Sequence, residues 1–469
     1  MRKFSRVGII GGSVLIIALA VSVAVTYADG GTWNSSLQVQ NLGTGPANIQ
    51  VEYYDQSGVV QATQLFTDVQ PGAMINVYQG SVTNLPDGFI GSAVVSSNEP
   101  IGGLGSLSAN YGATGGYAYY SGVSEGSNIA YAPTVLKQFG GGGWNTEMAV
   151  QNTGAGPATL TVEYYDSAGS LVSAATESQV IEDGASYLLK QVDNANLPTG
   201  FIGSAKITGG GGATSAVVVN SISGTRLESA NAFPGGDTVA YLPVVMNYFG
   251  GNQWVSSFQV MNLGSSQTTV DIYYYAGSAT PVKTVLDVPI PAFSSINRYQ
   301  PSVDADLGTG FLGSVKVVSD SEPIVAVGST VTTAGGKSYA TQYNGFSSGS
   351  TEVYLPTIMV NWGGNQWLTS FQVMNVGSSD ADVTIEYYEP GNPTPVKTLE
   401  YDGVENPMIT PMANINRYQP TVDADLGTGF MGSVIVTSNN GQPVVAIGSV
   451  LSPVVAGDSA EYYNGLPGS

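Results

Sequence analysis

Hydrophobic and polar residues alternate along most of this chain with a period of two. Leu37 and Val39 alternate with Gln38 and Gln40, and the stretch "NIQVEYYD" at 48–55 repeats the pattern. This alternation is typical of β-strands that bury one face. Outside the first residues, no stretch shows an apolar stripe with the period of a helix. The pattern therefore predicts an all-β protein.

Four copies of one sequence unit follow one another. Trp33, Trp144, Trp254 and Trp367 are separated by 111, 110 and 113 residues, and each opens a similar run such as "WNSSLQVQNLG". A "VEYYD"-like strand, a "GFxGS" block and a Pro-Ile or Pro-Val strand come next. Short strands punctuated by Gly, Pro and Asn in a unit of this length favour an antiparallel β-sandwich of immunoglobulin-like size.

The sequence therefore predicts four tandem antiparallel β-sandwich repeats after an N-terminal signal segment. Glycine-rich stretches separate the repeats, and they set the predicted boundaries. The signal segment is 1–20, with 28 as an alternative end, and repeats one to four are 21–125, 126–235, 236–350 and 351–469.

The repeated block "LPDGFIGSAVVSS" at 85–97 has two competing interpretations. A phosphate-binding loop would follow a parallel strand and open a helix, and it would use a lysine. The block instead leads into an apolar strand. We interpret it as a strand entry in which the Phe fills the end of the sandwich and the glycines permit a bend and a close approach.

The composition of the chain argues against two classes of function, nucleic-acid binding and catalysis. The chain has 13 Lys and Arg against 34 Asp and Glu, a net charge of −21, and it contains neither His nor Cys. An acidic surface repels nucleic acid, so we expect no nucleic-acid partner. The missing residue types include the commonest general base and every thiol nucleophile. We therefore predict that the protein is not an enzyme.

The first residues resemble an export signal. The basic start "MRKFSR" precedes the apolar run "VGIIGGSVLII", and Ala18-Leu19-Ala20 fits a cleavage site. Cleavage after Ala28 and an uncleaved anchor from Val7 to Val25 are the alternatives. No later stretch is long and apolar enough to span a membrane. The prediction is an extracellular or cell-surface location, with no membrane span once the leader is removed.

Two pairs of carboxylates are candidate ligands for calcium. Asp304 with Asp306, and Asp423 with Asp425, lie in predicted loops of repeats three and four. Calcium takes six to eight oxygen ligands, commonly from Asp and backbone carbonyls, so each pair makes a partial site. The alternative is a solvated turn. No other cofactor is predicted.

One tyrosine in each repeat is predicted to face away from the core. These residues are Tyr54, Tyr165, Tyr275 and Tyr388. Tyrosine is favoured at binding surfaces, so the four form a candidate contact face for carbohydrate or protein. Packing against neighbouring strands within each repeat explains them equally well.

The chain after the leader also contains a candidate assembly strand. A "YxP" strand stands before the tryptophan of each of repeats two, three and four, and the equivalent segment before Trp33 contains Val21, Val23, Val25 and Tyr27. If each such strand completed the preceding repeat, repeat four would lack its strand. The N-terminal strand of another copy would then fill the gap and build a filament head to tail.

The motifs "YLPxxx…GxW", "VQNxG", "VEYYD", "LPxGFxGSA" and "YNGF" together resemble a tandem repeat of secreted and cell-surface bacterial proteins. The resemblance implies immunoglobulin-like sandwiches with structural or adhesive roles and no assigned chemistry. The expected function is an exported structural subunit of a surface layer, stalk or extracellular filament that associates with itself. The alternative is a surface adhesin or carbohydrate-binding protein that uses the tyrosine face on a neighbouring cell surface.

Overall fold

The computed structural model describes residues 14–22, 25–26, 32–110, 115–251, 253–334, 336 and 338–468. The described chain is all-β, and its strands form eight small antiparallel sheets. No helix within these ranges is long and apolar enough to cross a membrane. The prediction of an all-β protein is confirmed.

Each of the first two repeats supplies two of the eight sheets. Repeat one contains β1 (Val14–Ser22), β2 (Val25–Thr26), β3 (Thr32–Asn41), β4 (Ala47–Asp55), β5 (Val60–Val69), β6 (Met74–Tyr78), β7 (Ile90–Ser97), β8 (Ile101–Asn110) and β9 (Gly115–Ser121). Repeat two contains β10 (Ile129–Lys137), β11 (Asn145–Asn152), β12 (Ala158–Asp166), β13 (Glu177–Ile181), β14 (Ser186–Lys190), β15 (Phe201–Gly209), β16 (Ser215–Ser223) and β17 (Arg226–Asn231).

The last two repeats follow the same order and each adds one short helix. Repeat three contains β18 (Val239–Asn247), β19 (Trp254–Asn262), β20 (Thr268–Tyr275), β21 (Lys283–Ile290), β22 (Ser295–Tyr299), α1 (Gln300–Val303), β23 (Phe311–Ser319), β24 (Ile324–Thr332) and β25 (Ala340–Asn344). Repeat four contains β26 (Glu352–Val360), β27 (Leu368–Asn375), β28 (Val383–Tyr388), β29 (Lys397–Tyr401), β30 (Asn414–Tyr418), α2 (Gln419–Val422), β31 (Phe430–Ser438), β32 (Val444–Leu451), β33 (Ala460–Asn464) and β34 (Leu466–Pro467).

Repeat two shows the common strand order. We call its sheet β10-β15-β12-β13 the flanking sheet and its sheet β14-β11-β16-β17 the axial sheet. The two sheets share one hydrophobic core. The equivalent pairs in the other repeats are β1-β7-β4-β5 with β6-β3-β8-β9, β18-β23-β20-β21 with β22-β19-β24-β25, and β29-β28-β31-β26 with β30-β27-β32-β33.

The side chains that the alternating pattern assigns to the core are buried in the structure. Ile49, Val51 and Tyr53 are fully buried in repeat one, and the tyrosines equivalent to Tyr53 are buried in the other repeats. In the repeated "GFxGS" block, Phe89 is buried in the core as expected. A Cβ on Gly91 would overlap the carbonyl oxygen of Tyr54, so only glycine fits there.

The Asn of each "QNxG"-type turn stabilises the turn through its side chain. In repeat one, Asn41 Nδ2 donates to the carbonyl oxygens of Gly45 and Val69, each at 2.8 Å. Its Oδ1 accepts from the N–H of Gly43 at 2.9 Å. Asn41 is fully buried, so an unpaired amide here would be costly. Asn41 does not adopt a positive φ, so its role in the turn is carried by the side chain.

The "YxP" strands complete the repeat that follows them. The strand β10 pairs with β15, β18 with β23, and β26 with β31. A tight turn explains this choice, because Phe139 and Trp144 exchange both backbone hydrogen bonds at 2.9 Å across it. Because this turn connects β10 to β11 so closely, β10 stays in the same repeat as β11. The prediction that these strands complete the preceding repeat is wrong, and repeat four has its strand in β26.

The first strand of repeat one overlaps the predicted leader. The strand β1 starts at Val14 and pairs with β7 of the same repeat, where Val21 lies opposite Gly91. Val25 belongs to β2 and lies opposite Trp33. Val23 and Tyr27 lie outside the described residues. The assembly strand predicted at 21–27 therefore starts too late, and the site of leader cleavage stays a prediction.

The four repeats close into a ring around one axis. The strands β9, β17, β25 and β33 lie closest to that axis, and they are joined by asparagine side chains. Asn231 Nδ2 donates to Ser121 O at 2.8 Å, Asn344 Nδ2 to Asn231 O at 2.7 Å, and Asn464 Nδ2 to Asn344 O at 2.6 Å. Gly115 of repeat one pairs with Gly457 of repeat four and closes the circle. A linear series of four sandwiches is therefore not the arrangement observed.

Candidate functional site

The serine of each "GFxGS" block joins one repeat to the next. Its hydroxyl donates to a backbone carbonyl in a loop of the following repeat, and the bond is present at all four junctions. The pairs are Ser92 with Gly184 (2.5 Å), Ser204 with Phe293 (2.5 Å), Ser314 with Met412 (2.7 Å) and Ser433 with Gly72 (2.8 Å). The last pair joins repeat four to repeat one, so the ring uses the same contact at its seam.

The four tyrosines predicted to face outward lie at these same junctions. Tyr165 contacts Phe293 of repeat three with ring centroids 5.2 Å apart, and Tyr388 packs on Gly72 of repeat one. Tyr165, Tyr275 and Tyr388 are buried, and Tyr54 is half-buried against Gly184. They therefore do not form an exposed face for carbohydrate or another cell. The neighbouring repeat covers them, so their burial cannot be deduced from the sequence of one repeat alone.

One carboxylate connects all four repeats at the axis. Asp458 of repeat four accepts backbone N–H groups from Leu227 of repeat two and Ala340 of repeat three, each at 3.0 Å. Its own N–H donates to Gly115 O of repeat one at 2.7 Å. Asp458 is fully buried. Three backbone groups of three other repeats thus depend on one residue.

Two further carboxyl groups are buried near Asp458. Burial raises the pKa of Glu228 to about 8, although nearby Arg226 opposes the shift. Burial, with the charge of Asp458, holds the pKa of Glu461 well above its usual range. Burial also raises the pKa of Asp458, and its backbone donors act in the opposite direction. The axis therefore contains an acidic cluster that is costly to ionise.

The candidate calcium carboxylates are ion-paired. Asp304 is fully buried, with Lys283 Nζ at 2.8 Å and Arg298 Nη2 at 2.6 Å. Its Oδ2 accepts the hydroxyl of Tyr274 at 2.7 Å. Asp306 is exposed and also pairs with Lys283. These cations hold the pKa of Asp304 below its usual value, although burial opposes them.

Repeat four builds the same cluster from equivalent residues. Asp423 lies 2.8 Å from Lys397 Nζ and 2.5 Å from Arg417 Nη2, and Asp425 lies 2.5 Å from the same Lys397. Calcium would have to displace two cations at Asp304 or Asp423. Among the described residues, no three His, Cys, Asp or Glu side chains are close enough together to hold a metal ion. Calcium binding at these residues stays a prediction.

A cavity of about 610 Å³ lies at the seam between repeats four and one. We call it the seam cavity. Tyr78 and Tyr117 line it from repeat one, and Trp362 and Trp367 line it from repeat four. Tyr117 meets Trp367 edge to face, with ring centroids 5.1 Å apart. The rest of the lining is rich in hydroxyl and amide side chains: Asn34, Ser36, Asn76, Ser106, Ser108, Asn110 and Asn365.

The seam differs from the junction between repeats two and three. At that junction Thr134 Oγ1 donates to Gln259 Oε1 at 3.1 Å. The equivalent residues at the seam are Thr357 and Gln38, and both line the seam cavity. Within the described chain, neither Thr357 Oγ1 nor Gln38 Oε1 has a hydrogen-bond partner, and Glu461 Oε2 also lacks one. The seam thus leaves buried polar atoms unpaired that another junction pairs.

Sequence reasoning found some of these residues and missed others. It singled out the "GFxGS" serines as part of a repeated block, but nothing within one repeat indicated a bond to the next. Asp458 carries no repeated signal, because repeats two and three have other residues at its place. Glu461 does have an equivalent in Glu228 of repeat two, as the strand pairing shows. A further cue was the pair of acidic residues in an apolar C-terminal strand region, "GDSAEYYNG".

Comparisons with known proteins leave the function open. No family model matches the chain, and no curated protein matches it. A crystal structure of a Thermotoga maritima protein is 18% identical over 24% of this chain and 94% of that one, with a TM-score of 0.20. The pilus backbone RrgB from Streptococcus pneumoniae is 8% identical over 53% and 80% of the two chains, with a TM-score of 0.12. A serine-rich repeat adhesion glycoprotein from Streptococcus agalactiae is 10% identical over 78% and 88%, also with a TM-score of 0.12. Scores this low carry no argument about function.

Proposed function

We propose that this chain is an exported, non-catalytic structural subunit that associates with copies of itself into a layer or filament at the cell surface. The observation that carries the proposal is the closed ring, with its four repeated serine contacts. These contacts tie each repeat to both of its neighbours. The basic and apolar start of the sequence supports export.

The flanking sheets supply a means of association. Each ends in a strand that pairs on one side only, namely β5, β13, β21 and β29. Three of these strands carry a strongly exposed aliphatic side chain: Leu65 at 65%, Val180 at 57% and Leu286 at 57%. An exposed edge strand with apolar side chains is a template for pairing with another sheet. A second copy of the chain offers the matching edge, so the partner we propose is this same protein.

This mode of assembly replaces strand donation. Donation required a vacant edge in repeat four, and β26 already occupies that edge. Pairing between edge strands needs no vacancy, and four edges around one ring permit growth in more than one direction. Bulges in two of the edge strands, marked by positive φ at Asp68 and Asp287, limit the length of flat edge available for pairing.

Electron microscopy and sedimentation of the full chain test the proposal. Wild-type protein should form ordered assemblies as its concentration rises. A triple variant with Leu65→Lys, Val180→Lys and Leu286→Lys should stay monomeric, because each lysine places a charge on an edge. Val404→Lys is the matched control, since Val404 is 87% exposed but lies outside the strands. A monomeric wild type at every concentration, or assembly by the triple variant, would refute edge pairing.

A further inference from the structure

We propose that the seam cavity binds a neutral oligosaccharide. The inference goes beyond the structural role proposed above and does not depend on it. The seam cavity is a different site from the tyrosine face, because it lies between repeats four and one and contains none of the four junction tyrosines. Its volume of about 610 Å³ is within the range of pockets that hold small molecules.

The aromatic residues of the cavity suit the apolar faces of sugar rings. Trp362 and Trp367 are half-buried, and Tyr78 is exposed. Amphipathic aromatic rings combine a flat apolar surface with a polar edge, so they contact a sugar face without excluding its hydroxyls. Trp362 is particular to repeat four, because Phe139 and Phe249 occupy the equivalent place in repeats two and three. The seam cavity thus contains two indoles, whereas the equivalent places in repeats two and three each contain one indole and one phenyl ring.

The polar residues of the cavity suit sugar hydroxyls. Ser36, Asn76 and Ser108 are among ten Ser, Thr, Asn and Gln residues of the lining, whose side chains both donate and accept hydrogen bonds. Gln38 Oε1, Thr357 Oγ1 and Glu461 Oε2 are unpaired among the described residues, and all three residues are more than nine-tenths buried. Buried polar atoms without partners are costly, and a bound hydroxyl would satisfy them.

The charges at the cavity favour a neutral ligand over an ion. The described lining contains no Lys or Arg, and the chain carries a net charge of −21, so an anion is disfavoured. The carboxyl group of Glu461 would attract a cation if it were ionised. Burial, with the charge of Asp458, holds its pKa well above the usual range and so opposes ionisation.

Repeat one differs from repeats three and four at the positions that open the cavity. Ser108 stands where repeats three and four have Val331 and Leu451, as the strand pairing shows. Asn34 stands where repeat three has the buried Val255. Repeats three and four have larger apolar side chains at both of these positions. Polar and smaller side chains leave space open at the seam.

Calorimetric titration of the full chain tests the proposal. The probes are cellotriose, maltotriose and mannotriose, with choline as a cationic comparison. At least one trisaccharide should bind, and Trp362→Ala should weaken it by about tenfold or more, because it removes a stacking surface. Phe249→Ala, the equivalent change in repeat three, is the matched control and should change the affinity by less than about twofold.

A second variant separates binding from folding. Trp362 also packs on the core of repeat four, so its loss affects stability as well as the cavity. Ser108→Leu introduces the residue that repeat four has at the equivalent position, and it should abolish binding without lowering the melting temperature. The proposal is overturned if no trisaccharide binds, if binding survives both variants, or if choline binds more tightly than every trisaccharide. A wild-type chain that binds a trisaccharide but stays monomeric at every concentration would refute the structural role alone.

Discussion

The ring should lose stability as the pH rises from 5 to 8, and the substitution Glu228→Gln should remove much of that loss. The chain contains no His, so no imidazole titrates in this range. The carboxyl groups whose pKa burial raises toward this range lie at the axis: Glu228, Asp458 and Glu461. The axis is therefore the expected source of any pH dependence here.

The magnitude follows from the pKa of Glu228. Burial raises this pKa from 4.5 to about 8 in the folded protein. Below pH 4.5 both the folded and the unfolded chain hold the proton, and no stability is lost. Above pH 4.5 the unfolded chain releases the proton first, so unfolding becomes easier until the pH reaches the folded pKa. By pH 7 the free energy of unfolding should have fallen by about 3 kcal/mol.

Urea unfolding at pH 5, 6, 7 and 8 measures this dependence. In wild-type protein the midpoint should move steadily to lower urea as the pH rises. Glu228→Gln keeps the size of the side chain but cannot ionise, so its midpoint should move much less. Glu125→Gln, at an exposed position, should follow the wild type. A wild-type midpoint that is constant from pH 5 to 8, or a Glu228→Gln variant with the wild-type slope, would show that the axial carboxyls do not control stability.

Two further predictions concern the junctions and the ion-paired loops. Ser433→Ala should destabilise the protein by about 0.5–1.5 kcal/mol in urea unfolding, because the buried Gly72 carbonyl loses one of its two donors and keeps Gln40 Nε2. Ser81→Ala, which removes an exposed serine–carbonyl bond of the same 2.8 Å length, should change little. Equal effects of the two changes would argue against closure of the ring at the seam. Asp423→Asn should cost about 3 kcal/mol because it leaves Lys397 and Arg417 without their buried partner, and millimolar calcium should not shift the melting temperature of the wild type. A calcium-dependent rise in melting temperature would instead support the metal site.

The calcium hypothesis shows why a local motif misleads in this chain. The "VDAD" sequence is the same whether its carboxylates face solvent, a metal or two cations. Lys283 and Arg298 reach Asp304 from β21 and β22, 21 and six residues away along the chain. These strands belong to the two different sheets of the repeat, and only the packing of one sheet on the other brings them to the same end. The sequence motif shows the two carboxylates but not the cations that pair with them.

The tyrosines show the same limit at a larger scale. Alternation correctly placed Tyr54 on the face opposite the core residue Tyr53. It did not say what covers that face, since period two distinguishes only the two sides of a strand. The ring supplies the cover, because loops of the next repeat reach Tyr54, Tyr165 and Tyr388. Tyr275 packs in one cluster with Met412 of the next repeat.

The sequence by itself determined the strands, the four-fold repetition and the core. These features depend on local alternation and on glycines that must accept close backbone approach, and each copy repeats the same information. The closure of the ring, the axial Asp458 and the seam cavity were decided by the tertiary structure alone. They depend on contacts between residues as far apart as Gly72 and Ser433. No periodic pattern encodes which surfaces of four similar repeats meet, because that choice follows from how their shapes and buried polar groups fit together.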